Sequence, residues 1–373
     1  MTLRVIIYRL GVIPLLLLLC FLAACSQQDL DQEEQGMVSL KVLASPGTKA
    51  GEGGTATATL PPKETDIFDL SIFIFNSKGD VIGFTSKDFS DGKPTAVDVK
   101  TRKATGCSVY AIANAKTLNK DTSPFDGVST LSVFKTKYLS FTDAKAPNDD
   151  KCLLMMGVSS DFDTSSASSA SPATITLKRL ASRIDYTITV NNDKTTDKTI
   201  GFPIVVDSYQ LCNVPNATFY THDDMANPTL PDANIYQNFS EQKTPVNSWD
   251  PNPTVSYEQY VYANPAKDET HATYLLINAH AQASSSNTAK IWESVFKVYL
   301  KEVKQGGTLM TKYQILPNYH YMVNITIKGS ASAAGGEITS YSAYPFFSSG
   351  NPDKNLEDWI DGQEKIDFDY EEN

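Results

Sequence analysis

The chain is poor in the groups that carry catalysis. Its four histidines, His222, His271, His280 and His320, are spaced like no known metal-ligand set, and no cysteine or acidic cluster accompanies them. G-x-S-x-G, a phosphate-cradling glycine loop and H-E-x-x-H are all missing. Asp149-Asp150 and Asp223-Asp224 are adjacent acids in loop-like surroundings, where carboxylates are ordinarily solvated. The sequence therefore names no catalytic residue, no metal and no cofactor, and an enzyme is not expected. Cysteine is equally sparse. Cys20 and Cys25 lie in or beside an apolar leader, and the remaining Cys107, Cys152 and Cys212 are odd in number with no C-x-x-C spacing, which excludes a disulfide framework. Positive charge is also in short supply, with 32 basic against 43 acidic residues and a net charge of −11. Loss of residues 1–24 would remove Arg4 and Arg9 and no acid, leaving 30 − 43 = −13. Such a surface disfavours nucleic acid and anionic lipid headgroups as partners. Long amphipathic helical patterns are missing as well.

What is present begins with a targeting signal. Arg4 and Arg9 precede a mostly apolar run from Leu10 to Leu22, of signal-peptide rather than membrane-spanning length. It ends in Leu22-Ala23-Ala24-Cys25, which resembles the lipobox at which bacterial lipoproteins are acylated on the cysteine sulfur. Cys25 is thus the expected lipidation site, and an outer-membrane lipid anchor at the cell surface is implied. Residues 25–36 follow as an acidic tether too polar to fold.

Strand patterns dominate the rest. Ile67–Phe75 is apolar on both faces, as a strand between two layers would be, and Asn76-Ser77-Lys78-Gly79-Asp80 turns it back into Val81–Phe84. Ile184, Tyr186, Ile188 and Val190 alternate with polar residues, as do Tyr319, Tyr321, Val323, Ile325 and Ile327. Further runs occur at Val109–Ala113, Leu153–Met156, Thr174–Leu177, Ile204–Tyr209, Thr273–Asn278 and Val295–Leu300. The expected fold is all-β, with two antiparallel β-sandwich domains of transthyretin or immunoglobulin type in tandem. The boundary is placed at the polar Asn191-Asn192-Asp193-Lys194, giving domains at 37–194 and 195–335 and a C-terminal extension at 336–373. The low-complexity stretch Asp163–Pro172 is expected to be an exposed loop. Asn213–Pro253, rich in proline, reads as a long irregular loop whose Trp249 offers a candidate glycan contact.

Two segments at opposite ends of the chain share a geometry. Met37–Leu43 sets Val38, Leu40 and Val42 on one face, and Lys365–Glu371 does the same with Ile366, Phe368 and Tyr370. A flexible, Gly-rich link, Ser45–Gly54, isolates the first from the next strand. Were the first strand to leave its sheet, a neighbour's C-terminal strand could fill the groove by β-augmentation. Two ordinary edge strands are the plainer alternative.

Taken in order, a set of motifs resembles the Bacteroidales fimbrillins, the FimA-like type V pilins. They are the lipobox, Leu70–Asn76 with its glycine turn, Val109–Ala115, Leu153–Gly157, Leu177–Ile184, Tyr260–Asn264 leading to Thr273–Leu275, and Pro317–Gly329. The resemblance implies a fimbrial subunit exported as a lipoprotein, with residues 37–49 as a removable strand and linker. It implies a trypsin-like maturation protease cutting between Lys49 and Ala50, and polymerisation with other copies or related pilins by donor-strand exchange, supporting adhesion to a host protein or glycan. The best-known members are cut after Arg, whereas this chain has no Arg between Arg9 and Arg102. Leu356–Gly362, with Trp359, resembles the ending of stalk subunits, which ranks stalk above tip or anchor. A surface lipoprotein binding glycan directly is the competing reading.

Overall fold

The computed structural model describes residues 35–44, 62–141, 151–168, 171–192, 203–243, 254–284, 286–299, 304–305, 308–309, 313–329 and 334–345. The first strands are β1 (Gln35–Ala44), β2 (Asp69–Phe75), β3 (Val81–Asp88), β4 (Val97–Arg102), β5 (Cys107–Ala113), β6 (Tyr138–Ser140), β7 (Met155–Phe162) and β8 (Ala173–Arg179). After them come β9 (Ala181–Asn191), β10 (Ile204–Cys212), β11 (Val214–Pro215), β12 (Ala217–Phe219), β13 (Tyr236–Gln237) and β14 (Thr254–Tyr262). The last are β15 (Tyr274–Ser284), β16 (Asn287–Tyr299), β17 (Lys304–Gln305), β18 (Thr308–Leu309), β19 (Tyr319–Gly329) and β20 (Ala334–Pro345). Among the described residues helix is confined to a turn of 3-10 helix at Pro62–Glu64 and two short helices, Ala115–Leu118 and Leu131–Lys135. Among the described residues no helix is long and apolar enough to cross a membrane.

Seven strands form one sheet in the order β3-β2-β5-β7-β8-β1-β4. This sheet curls around its own core, because one apolar cluster draws on β1 (Val38, Leu40), β2 (Leu70, Ile72), β4 (Val99), β5 (Val109) and β8 (Ile175). Its two ends approach each other so closely that a Cβ on Gly83 of β3 would lie 2.9 Å from Thr101 Cβ of β4, which only glycine permits. The opposite faces of β2 and β5 carry Phe73, Phe75, Tyr110 and Ile112 into a second cluster roofed by Phe134 of the Leu131–Lys135 helix. Phe73 and Phe134 have ring centroids 4.7 Å apart. Every residue of β2 is consequently buried, as its two-faced apolarity requires. The turn after β2 forms because Asn76 Oδ1 accepts the amides of Lys78 and Asp80, both at 2.9 Å, while Gly79 takes φ 87°.

The remainder builds a four-stranded sheet, β14-β9-β19-β20, and a three-stranded sheet, β10-β15-β16. They share one core, with Ile184, Tyr186 and Ile188 of β9 and Tyr321, Val323 and Ile325 of β19 packed among Val206, Leu275, Ile277 and Phe296. Three two-stranded ribbons, β11-β13, β12-β6 and β17-β18, complete the pairing.

Several expectations are revised. Not every pairing is antiparallel, since β1 runs parallel to β8 and β9 parallel to β19. The chain passes from one large sheet to the other at Leu180, between β8 and β9, well before Asn191; Asp193 and Lys194 lie outside the described residues. Residues 336–345, assigned to the C-terminal extension, are part of β20 and pair with β19. The serine-rich stretch is not simply exposed, because Thr164 and Ala167 are buried. Nor is Asn213–Pro253 a free loop at its start: β12 pairs with β6, and Tyr220 is fully buried in the second apolar cluster. Trp249 lies outside the described residues.

Candidate functional site: the first strand and its slot

β1 sits between β8 and β4 rather than at an edge. Its first half, Gln35 to Leu40, pairs antiparallel with β4, from Gln35 opposite Arg102 to Leu40 opposite Val97. Its second half, Leu40 to Ala44, pairs parallel with β8, from Leu40 opposite Ala173 to Ala44 opposite Leu177. Leu40 is therefore the residue at which β1 passes from one neighbour to the other. Among the described residues β4 pairs with β1 alone, so β1 supplies the whole backbone ladder of that strand.

The side chains follow the alternation read from the sequence. Val38 and Leu40 are 0 % exposed and Val42 3 %, all three within the core of the curled sheet. On the other face Met37 and Lys41 are exposed, whereas Ser39 is buried. Three apolar side chains fully removed from water stabilise β1 in place by roughly 5–9 kcal/mol before ordering costs. Ladder hydrogen bonds add about 0.5–1.5 kcal/mol each.

Beyond β1 the described chain resumes at Pro62–Glu64, and this turn is gripped by the other large sheet. Glu64 is fully buried, and its Oε1 accepts the Tyr260 hydroxyl at 2.6 Å. Arg183 Nη1 lies 3.4 Å from the same oxygen, and Lys63 Nζ sits 4.9 Å from the centre of the Tyr260 ring. Arg183 also meets Asp185 at 2.9 Å and Glu258 at 2.6 Å, and His320 Nε2 is 2.8 Å from Asp185. Burial alone would lower the Arg183 pKa, but the hydrogen bond to Asp185 and the charges of Asp185 and Glu258 outweigh it and raise the value. For Asp185 burial acts upward, and hydrogen bonds from His320 and Arg183 prevail, leaving it below the usual carboxylate range. Arg179 is buried beside this cluster, and its pKa falls to about 10 because burial dominates over the attraction of Glu64. The chain that follows the link is thus tied to the second large sheet by contacts in which β1 takes no part.

The passage from β8 to β9 is pinned in the same region. Asn318 adopts φ 66° and its Oδ1 accepts the Arg179 amide at 3.0 Å, while its own amide donates to Ala181 O at 3.1 Å. The Ser182 hydroxyl donates to Leu316 O. Leu177–Ile184 and the Pro317-Asn318-Tyr319 turn, distant in sequence, are two sides of one joint.

Of the residues singled out from sequence, the structure brings Val38, Leu40 and Val42 together in the core. Cys25, Lys49, Ala50, Ile366, Phe368 and Tyr370 lie outside the described residues. Sequence reasoning missed Glu64 and gave no role to Arg183 and Tyr260, although both stand in motifs that carried the resemblance. Two of the histidines are held within the fold: His222 is buried with its Nε2 3.4 Å from Thr218 Oγ1, and His280 contacts Asp207 at 2.9 Å. Among the described residues no group of three His, Cys, Asp or Glu side chains could hold a metal ion. Cys107, Cys152 and Cys212 are all buried.

Comparison with known proteins agrees with this architecture. Residues 37–204 match the family of the major fimbrial subunit protein FimA. A Parabacteroides distasonis structure described as a candidate cell adhesion protein is 21% identical, with TM-score 0.54 over 79% of this chain and 88% of that one. A similarly described Bacteroides eggerthii structure gives 17% identity and TM-score 0.52 over 86% and 93% of the two chains. A fimbrilin (FimA) from Porphyromonas gingivalis gives 14% and 0.53 over 79% and 90%. At such identities the structures speak for the fold, and the sequence match speaks for the family. A search of curated proteins finds no match. The match sets residues 37–204 beside the fimbrial structural subunits of the cell surface. Over residues 37–204, a little under half of its length, the chain is thus similar to the FimA-type major fimbrial subunits.

Proposed function

We propose that the chain is a stalk subunit of a fimbria, exported as a lipoprotein through Cys25, cut after Lys49 by a trypsin-like protease, and polymerised by donor-strand exchange. In this reading β1 leaves with the lipidated leader, and the strand carrying Ile366, Phe368 and Tyr370 of a neighbouring copy takes its place. The curled seven-stranded sheet and the paired four- and three-stranded sheets act as two sandwich units in tandem.

The observation that carries the reading is the position of β1. An internal strand that is, among the described residues, the sole ladder partner of β4 leaves, on departure, a slot with an unpaired wall on each side and a vacated apolar floor. Unpaired strand edges around exposed core are a strong template for another strand. Because Glu64 and Lys63 fasten the chain after the link to Tyr260, cutting the link frees β1 without freeing the body of the subunit.

The test is the N-terminus of surface-extracted material together with its assembly state. Ala50 as first residue, with SDS-resistant oligomers abolished by deleting Ile366–Tyr370, is the expected result. A first residue at Cys25 in polymeric material, or oligomers indifferent to the deletion, would overturn the assignment.

A further inference from the structure

If β1 vacates the slot, β4 loses every ladder bond that the described residues show for it. A strand so stripped would ordinarily collapse onto the exposed core or fray, and the slot would be lost. Beside its core packing, two backbone contacts stand out among the described residues. Gly83 lets the backbone of β3 lie against Lys100 and Thr101, where any Cβ on residue 83 would fall 3.0 Å from Lys100 O. The second contact is Thr164, 2 % exposed, in the turn that follows β7.

Thr164 grips the end of β4 through backbone and side chain together. Its hydroxyl accepts the Ala104 amide at 2.8 Å and shares its proton between Arg102 O at 3.1 Å and Ala104 O at 3.2 Å. Its own amide donates to Ala104 O at 3.0 Å. The turn around it is closed on itself, since Asp163 Oδ1 accepts the amide and hydroxyl of Ser165 at 2.8 and 2.7 Å, and Asp163 O accepts the Ser166 hydroxyl at 2.6 Å. Hydrogen bonding from Ser165 also lowers the Asp163 pKa. β7 in turn is tied to β5, with Phe162 opposite Cys107. A line of fixed contacts therefore runs from the centre of the sheet to the far wall of the slot without passing through β1.

We propose that Thr164 is a positioning residue for strand exchange, holding β4 in register while β1 is gone so that the slot stays formed for an extended segment of a second copy of this chain. The proposal rests on the donor-strand reading above. A rigid acceptor spares the incoming strand the cost of reordering β4.

The experiment uses the full chain with a protease site placed in the 45–61 link, cut in the folded protein, and freed of β1 in mild denaturant. Uptake of a fluorescent peptide of residues 363–373 is measured alongside hydrogen exchange of the Val97–Arg102 amides. Wild-type chain should bind the peptide and keep these amides protected in the emptied state. Thr164→Val should bind at least about tenfold more weakly and lose the protection, while Thr164→Ser, which retains the hydroxyl, should behave as wild type. Equal uptake and protection in Thr164→Val would overturn the role of Thr164. So would free exchange of the β4 amides in emptied wild-type chain, a measurement that needs no variant. Failure of wild-type chain to take up any peptide would instead overturn the exchange reading itself.

Discussion

Truncating Leu40 to alanine separates the two states that strand exchange requires. In the uncut chain Leu40 is 0 % exposed and stands where β1 passes from β4 to β8. Its removal forfeits transfer free energy and leaves a cavity in the core to which Leu70, Ile72, Val97 and Ile175 also belong. Leucine-to-alanine changes in such settings cost about 2–5 kcal/mol. Equilibrium unfolding in urea of the uncut variant should show that loss as a lower midpoint with an unchanged slope. In chain cut in the link and emptied of β1, an alanine carried on the departed strand cannot matter, and wild type and variant should unfold identically. Between these limits, cut chain still holding its own β1 should exchange it for a donor peptide faster in the variant. A penalty of about 2 kcal/mol or more that falls on the bound strand alone accelerates release by roughly tenfold or more, since about 1.36 kcal/mol is a factor of ten in rate. A loss below about 1 kcal/mol in the uncut chain, or exchange as slow as in wild type, would show that the anchors do not hold β1 and would refute the energetic basis of the slot.

Two further outcomes follow from residues away from the slot. His222 is buried, and that burial, opposed only by Asp223, lowers its pKa to about 4. Its neutral form is favoured by folding, so the contribution is complete above the unfolded value of about 6.5 and is lost as pH falls through the folded one. Stability should drop by about 3 kcal/mol between pH 7 and 4 through this group, and His222→Asn should flatten that part of a urea-midpoint profile; an unchanged slope would refute it. Asn114 combines φ 67° with three side-chain bonds, accepting from Phe68 N at 2.8 Å and donating to Asp66 O at 2.9 Å and Leu153 O at 2.7 Å. Asn114→Ala should cost about 3 kcal/mol or more, and Asn114→Gly about 1 kcal/mol less because glycine accepts the conformation. Thermal denaturation that ranks the glycine variant at or below alanine would contradict the backbone half of this account.

The sequence was most legible where periodicity and burial coincide. β2, β5, β9 and β19 were visible because their apolar residues repeat at the spacing of a buried face, and β1 showed its three anchors for the same reason. β4 was missed although Val97, Val99 and Thr101 alternate, because a six-residue strand gains its identity from β1 beside it. β20 was missed because Gly, Ser and Ala give it little intrinsic preference, and pairing with β19 decides the matter. The motifs that carried the family resemblance have physical causes that no spacing reveals. Val109–Ala115 holds Asn114, and Tyr260–Asn264 ends in a second buried asparagine whose amide donates to His271 O at 2.8 Å and Thr273 Oγ1 at 2.9 Å. Leu177–Ile184 and Pro317–Gly329 are the two halves of the joint. The buried Glu64 was invisible because its partner Tyr260 is remote in sequence and nothing local marks a carboxylate that will be buried.

The slot also judges its proposed occupant. Seating Ile366, Phe368 and Tyr370 where Val38, Leu40 and Val42 now lie puts an aspartate at the position of Ser39 whichever way the donor runs, Asp367 in one direction and Asp369 in the other. Ser39 is 2 % exposed and faces Asp98 across the ladder, so a donor carboxylate there is both desolvated and opposite a like charge. Directly opposed like charges cost up to about 1 kcal/mol, and withholding water from a carboxylate costs more. A peptide of residues 363–373 carrying Asp367→Ser and Asp369→Ser should therefore bind the emptied slot at least about tenfold more tightly than the native peptide, and Asp98→Lys in the acceptor should give part of the same gain to the native one. Lowering the pH toward 4 should strengthen native binding and leave the doubly substituted peptide unaffected. If the serine peptide binds no better, the donor does not lie in the register of β1, and the anchors must enter by another alignment or from another segment of the tail.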